Sequence, residues 1–105
     1  MNGFIQIIEY STDRPNEVDA LMDEWVAATE GKRTVTHDLH TRDRDRPGTY
    51  VDIVEFPSYE QAMRNSSLPE TQRVAAKMRE LCDSDPRFLN LDVLRDETLA
   101  GAASG

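Results

Sequence analysis

The chain has 105 residues, 38% hydrophobic and 30% charged, which suits one small core and leaves no room for two domains. Its net charge of −8 repels nucleic acid and anionic membrane surfaces, so neither is expected as a partner. No window approaches the roughly 18 apolar residues of a spanning helix, and the first residues lack the basic segment and apolar core of a signal peptide, so a cytoplasmic protein is expected.

Residues 3 to 12, GFIQIIEYST, read as a strand. The stretch DRPNEVDALMDEWVAAT then sets Val18, Leu21, Met22, Trp25 and Ala28 at helical spacing behind Pro15, and Gly31 ends that helix. Thr34 to Thr41, TVTHDLHT, is rich in β-branched residues and is expected to be a second strand. RDRDRPGT follows, with Pro47-Gly48 as a turn signal. This is a hairpin tip whose alternating charges nearly cancel, and it is assigned no chemistry.

The segment after the tip, GTYVDIVEFPS, repeats the first strand. Without a gap, Phe4 falls on Tyr50, Ile7 on Ile53, Glu9 on Glu55 and Tyr10 on Phe56. Ser58 and Gln61 have capping-box spacing and begin another helix, which Pro69 interrupts near NSSLP. From Glu70 the helix resumes, with Val74, Met78, Leu81 and Cys82 on its apolar stripe. Cys82, the single cysteine, is read as a buried thiol. RFLNLDVLR supplies a last strand, and the small polar residues at the end form a tail. The expected organisation is one domain over 1–97 with a disordered tail over 98–105.

The order βαββαβ is that of the ferredoxin-like α+β fold: a four-stranded antiparallel-type sheet with two helices on one face. The two similar strands are expected to be central and mutually parallel, each launching a crossover helix. Ile5, Ile7, Val51, Ile53, Leu89, Leu91 and Val93 are uniformly aliphatic and are expected to pack under the helices. The opposite face, holding Phe4, Gln6, Ile8, Tyr10, Tyr50, Asp52, Val54, Phe56, Phe88, Asn90, Asp92 and Leu94, is expected to pair with a second copy in a homodimer.

The element order and the segment VEFPSYEQAMRNS resemble the dimeric α/β-barrel superfamily, and within it the antibiotic biosynthesis monooxygenase-like proteins. The resemblance implies two ferredoxin-like sheets pairing into a dimeric barrel. Members include cofactor-independent oxygenases of polyketide and quinol substrates as well as haem-degrading enzymes. The haem-degrading set of Asn, Trp and His falls approximately on Glu9, Asn65 and Ala75, so no haem or metal ligand is carried over, and no cofactor is expected. Other members place Trp and His where Phe56 and Asn65 stand.

Several polar groups are candidates for chemistry. Glu9 and Glu55, at the carboxyl ends of strands taken as parallel neighbours, would form a carboxylate pair in which one member acts as a base near neutrality; equally, both would point to solvent or toward helix N-termini. His37 and His40 lie on opposite faces of their strand and cannot share a metal. One of them, His37 by preference, would be an acid–base group with Tyr50 or Asp52 across the hairpin; equally, each would be a surface residue. Gln6, Asp52, Asn90 and Asp92 would line a polar pocket or fix a dimer register. Trp25, Tyr50, Asp52, Phe56 and Asn65 complete the candidate surface for a small aromatic ligand. Two functions follow: a cofactor-independent monooxygenase-like enzyme acting on an aromatic or quinol-type molecule, or a non-catalytic dimeric barrel that binds a small ligand or serves structurally.

Overall fold

A computed structural model describes residues 3–104. The elements run β1 (Phe4–Ser11), α1 (Pro15–Ala28), β2 (His37–Arg42), β3 (Thr49–Phe56), α2 (Tyr59–Ser66), α3 (Pro69–Leu81) and β4 (Arg87–Asp92). They form an α+β, ferredoxin-like fold whose single sheet has the order β2-β3-β1-β4. The second helical region is two helices, because Pro69 lacks the amide that an unbroken helix requires and instead starts α3. Ser58 caps α2, its Oγ accepting from the Gln61 amide at 3.1 Å.

Every strand pair is antiparallel, including β1 with β3, which corrects the expectation of a parallel central pair. The topology requires this. The crossover through α1 leaves β2 running with β1, the short hairpin reverses β3 against β2, and β3 then slots between them. Ile7 stands opposite Ile53 at the centre of the β1–β3 pair. A local two-fold axis perpendicular to the sheet between these residues carries Phe4 onto Tyr50 and Tyr10 onto Phe56. The repeat in the sequence is therefore a rotation.

The helices cover the opposite face from the one expected. Phe4 and Phe56 are opposite each other in register, and both are buried with Ala62 of α2, with Val35, Val54 and Met63 packed around them. Tyr59 meets the Phe4 ring edge-on at 5.5 Å. The aromatic and polar face thus lies beneath the helices, while Ile5, Ile7, Val51 and Ile53, flanked by Leu39, Leu89 and Leu91, form the uncovered face. Leu39, Leu89 and Leu91 are each more than a third exposed.

On the helical layer, Trp25 donates from Nε1 to Thr71 Oγ1 at 2.9 Å, tying α1 to α3, and Lys32–Glu70 and Lys77–Glu24 pairs reinforce that contact. Gly48, at φ +80°, permits the tight close of the β2–β3 hairpin, and its carbonyl accepts from the Thr12 amide at 3.0 Å. Cys82 is only partly buried, since it follows the last turn of α3 instead of facing inward from it. Residues 98–104 are exposed and without helix or strand. No helix among the described residues is long and apolar enough to cross a membrane.

Candidate functional site

The hairpin register fixes which residues can meet. Arg42 pairs with Tyr50, His40 with Asp52, and His37 with Glu55. Because side chains alternate along a strand, His40 and Asp52 project onto the helix-covered face and His37 and Glu55 onto the uncovered one. His37 therefore meets neither Tyr50 nor Asp52. His40 meets both.

His40 Nδ1 lies 2.6 Å from Asp52 Oδ1, and its Nε2 lies 3.3 Å from Asp19 Oδ1 on α1. Tyr10 Oη is 3.5 Å from the same Nδ1. The Tyr50 ring stacks on the imidazole at 6.1 Å between centroids, and on its other neighbour, Tyr10, at 5.7 Å. Four elements thus converge on one imidazole: β1 through Tyr10, β2 through His40 itself, β3 through Asp52 and Tyr50, and α1 through Asp19. Asp38, two residues before His40 on the same face, adds a third carboxylate.

Burial and charge act on this cluster in opposite directions. Burial disfavours the His40 imidazolium, yet the Asp52 hydrogen bond and the charges of Asp52, Asp19 and Asp38 outweigh it and raise the pKa above that of free histidine. Desolvation pushes the Asp52 carboxyl up despite its bond to His40. The Asp38 carboxyl is raised for the same reason. Tyr10 is moved far up by burial and by nearby Asp52, so it stays a phenol and donates or accepts as a neutral group. His40 is the member of this group suited to exchange a proton near neutrality.

Beside the cluster the same sheet face continues as a floor. Across one register row run His40, Asp52, Ile8 and Phe88, and in the next run Asp38, Val54, Gln6 and Asn90. Gln6 Nε2 donates to Asn90 Oδ1 at 3.1 Å, in contact with solvent, and Phe88 is 46% exposed. An apolar ring surface and a solvated amide pair therefore lie within three strand spacings of the imidazole, about 14 Å.

The other candidates are dispersed. Glu9 is opposite Val51 and Glu55 opposite Ile5, so the two acids sit four register positions apart, about 13 Å along the strands, and form no carboxylate pair. The expectation that they adjoin fails with the parallel pairing on which it rested. Glu9 instead meets Arg46 at 3.3 Å. Asn65 is buried, and its Oδ1 accepts from the Thr34 amide at 3.4 Å, pinning the segment that leads into β2. Phe56 belongs to the core. Trp25 lies between α1 and α3, with the Arg33 guanidinium 6.0 Å over its ring. Of the candidates, Tyr50 and Asp52 come together, joined by His40, Asp19 and Tyr10.

Two open clefts lie away from the cluster's centre. One, of about 580 Å³, is bordered by Gly3, Thr36, Glu55, Pro57 and Arg95, and the other, of about 680 Å³, by Arg42, Arg44, Pro47 and Tyr50 at the hairpin. Neither converges on Glu9, Asn65 and a histidine. Among the described residues, no three of His, Cys, Asp and Glu are grouped to hold a metal ion.

No protein-family profile and no curated protein matches the chain in sequence. Solved structures do match in shape. SnoaB, a cofactor-independent oxygenase from Streptomyces nogalater, superposes with a TM-score of 0.77 at 16% identity, over 96% of this chain and 100% of that one. Rv0793 from Mycobacterium tuberculosis superposes with a TM-score of 0.77 at 16% identity, over 91% and 99% of the two chains. A protein from Caulobacter crescentus described as an antibiotic biosynthesis monooxygenase gives 0.74 at 14% identity, over 90% and 92%. This chain therefore has the ferredoxin-like fold of the antibiotic biosynthesis monooxygenase-like proteins.

Proposed function

We propose that the protein is a cofactor-independent monooxygenase-like enzyme acting on a phenol- or quinol-type aromatic molecule, with His40 as its base. The observation that carries this reading is the imidazole held between Asp52 and Asp19 beside the Ile8–Phe88 floor. Asp52 at Nδ1 fixes the neutral ring with its proton on that nitrogen, leaving the Nε2 lone pair to accept one from substrate. The phenolate so formed is electron-rich enough to reduce dioxygen itself. A phenol and O2 then give a quinone and water, with the substrate supplying the electrons. Stacked tyrosines and the flanking apolar residues favour a flat ring, and the Gln6–Asn90 amides offer it polar anchors.

The comparison with SnoaB supports a fold on which such chemistry occurs, and the roles rest on the geometry above. The aliphatic face of the sheet, bordered by Glu9, Arg87, His37 and Glu55, has the apolar centre and polar rim of a self-association surface, so the working unit is proposed to be a homodimer joined through it. We likewise place the protein in the cytoplasm, and treat residues 1–97 as the functional domain.

Thermal-shift screening against aromatic polyketides and quinols, followed by oxygen-uptake assays on the hits, tests the reading. A hit that consumes oxygen with wild-type protein and loses it in His40→Gln supports the enzyme. Ligands that bind without uptake support the non-catalytic barrel instead.

A further inference from the structure

We propose that Asp19 is a gate over the His40 base: it caps Nε2 while the ring is an imidazolium and must leave before Nε2 can accept a substrate proton. The inference rests on His40 serving as the base described above. Its ground is a count of hydrogens. An imidazolium has two N–H groups, and here each nitrogen faces a carboxylate, Asp52 at 2.6 Å and Asp19 at 3.3 Å. A neutral imidazole has one N–H and satisfies one of them.

Which contact survives is decided by burial and distance. The Asp52 side chain is 10% exposed and cannot move into water, whereas the Asp19 side chain is 60% exposed on a surface helix. Loss of the proton from Nε2 therefore sets a lone pair against the Asp19 carboxylate. That repulsion is relieved by turning Asp19 outward. The position vacated, within hydrogen-bond reach of Nε2, is where a phenolic hydroxyl would have to sit. Asp19 thus stands in for the substrate's acidic group, and deprotonation both creates the base and uncovers it.

The remaining neighbours are consistent with this assignment. On β2, Asp38 and Arg42 share the face of His40; on β3, Tyr50 covers the ring; on β1, Tyr10 approaches Nδ1 and stays neutral. None of them meets Nε2. With three carboxylates around the ring, a ligand bearing its own carboxylate beside the hydroxyl would be repelled, so the gate favours uncharged phenols.

The test uses the free protein, so its outcome is separable from that of the enzyme proposal. His40 is titrated by NMR of its ring, with nitrogen shifts reporting the tautomer, in wild type, Asp19→Asn and the exposed neighbour Asp23→Asn. The His40 midpoint should fall in Asp19→Asn and hold in Asp23→Asn, with the neutral ring protonated at Nδ1. An unchanged midpoint in Asp19→Asn, or a neutral ring protonated at Nε2, overturns the gate. If the midpoint falls as expected while no aromatic substrate is found, the gate stands and the oxygenase reading fails.

Discussion

His40 and Asp52 face each other directly across the β2–β3 pair, and their side chains meet at 2.6 Å on the helix-covered side of the sheet. The contact is both an electrostatic setting for the imidazole and an orienting bond. Asp52→Asn keeps the shape and one acceptor while removing the charge. The His40 pKa should therefore fall in this variant, visible by NMR titration, and turnover of any substrate should drop. His40→Gln removes the base itself, so the loss should be about 10²- to 10⁴-fold, the usual worth of a positioned proton acceptor. Equal rates in wild type and His40→Gln would remove His40 from the chemistry.

Stability should fall as pH rises through the cluster. The His40 pKa is raised in the folded state, so its protonation favours folding fully below the unfolded value of about 6.5 and that contribution is lost as pH climbs through the folded pKa. The raised Asp52 and Asp38 carboxyls act in the same sense at lower pH, because the folded chain holds protons that the unfolded chain releases first. Denaturant midpoints between pH 5 and 9 should decline in wild type. His40→Gln should flatten the upper part of that decline, and a parallel decline in both proteins would exclude His40 as its source.

Much of this arrangement is legible in the sequence, and the losses have definite causes. Strand and helix positions follow from periodicity and from Pro15, Ser58 and Pro69, which act locally. The faces do not, because β1 and β3 are apolar on both sides: Ile5 and Ile7 alternate with Phe4 and Ile8, so pattern alone leaves the helix side undecided. Choosing the parallel pairing also misplaced Glu9 beside Glu55. The register that pairs His40 with Asp52 and excludes His37 depends on the length of the connection from Arg42 to Thr49, which the Pro47-Gly48 turn signal does not give. Asp19 had no signal, because its approach to His40 depends on how α1 sits across the sheet.

Phe4 is as deeply buried as Tyr10, 3% exposed, and is in contact with Phe56 and Tyr59. Truncating it leaves a cavity that α2, a helix of only 8 residues, has little freedom to fill. Phe4→Ala should cost about 3–5 kcal/mol. In a domain of this size that is a large fraction of total stability, and thermal unfolding should shift down sharply or the protein should fail to accumulate. A shift of only a degree or two would mean that the Phe4–Phe56–Ala62 cluster does not hold the fold together.

Adjacent residues on β3 give the sharpest test of the uncovered face. Ile53 lies at the centre of the aliphatic side, opposite Ile7 and Leu39, whereas Val54 points the other way and packs on the Phe4–Phe56–Ala62 cluster. If two copies associate through the aliphatic side, Ile53→Asp buries an unpaired charge in the interface and leaves the helix-covered core untouched. It should yield a folded monomer by sedimentation or light scattering at concentrations where wild type is a dimer. Val54→Asp instead places the charge against the core, so its main effect should be a lower melting temperature. Wild-type protein that sediments as a monomer at micromolar concentration would refute the dimer, and dissociation by Val54→Asp alone, with Ile53→Asp still dimeric, would place the contact elsewhere.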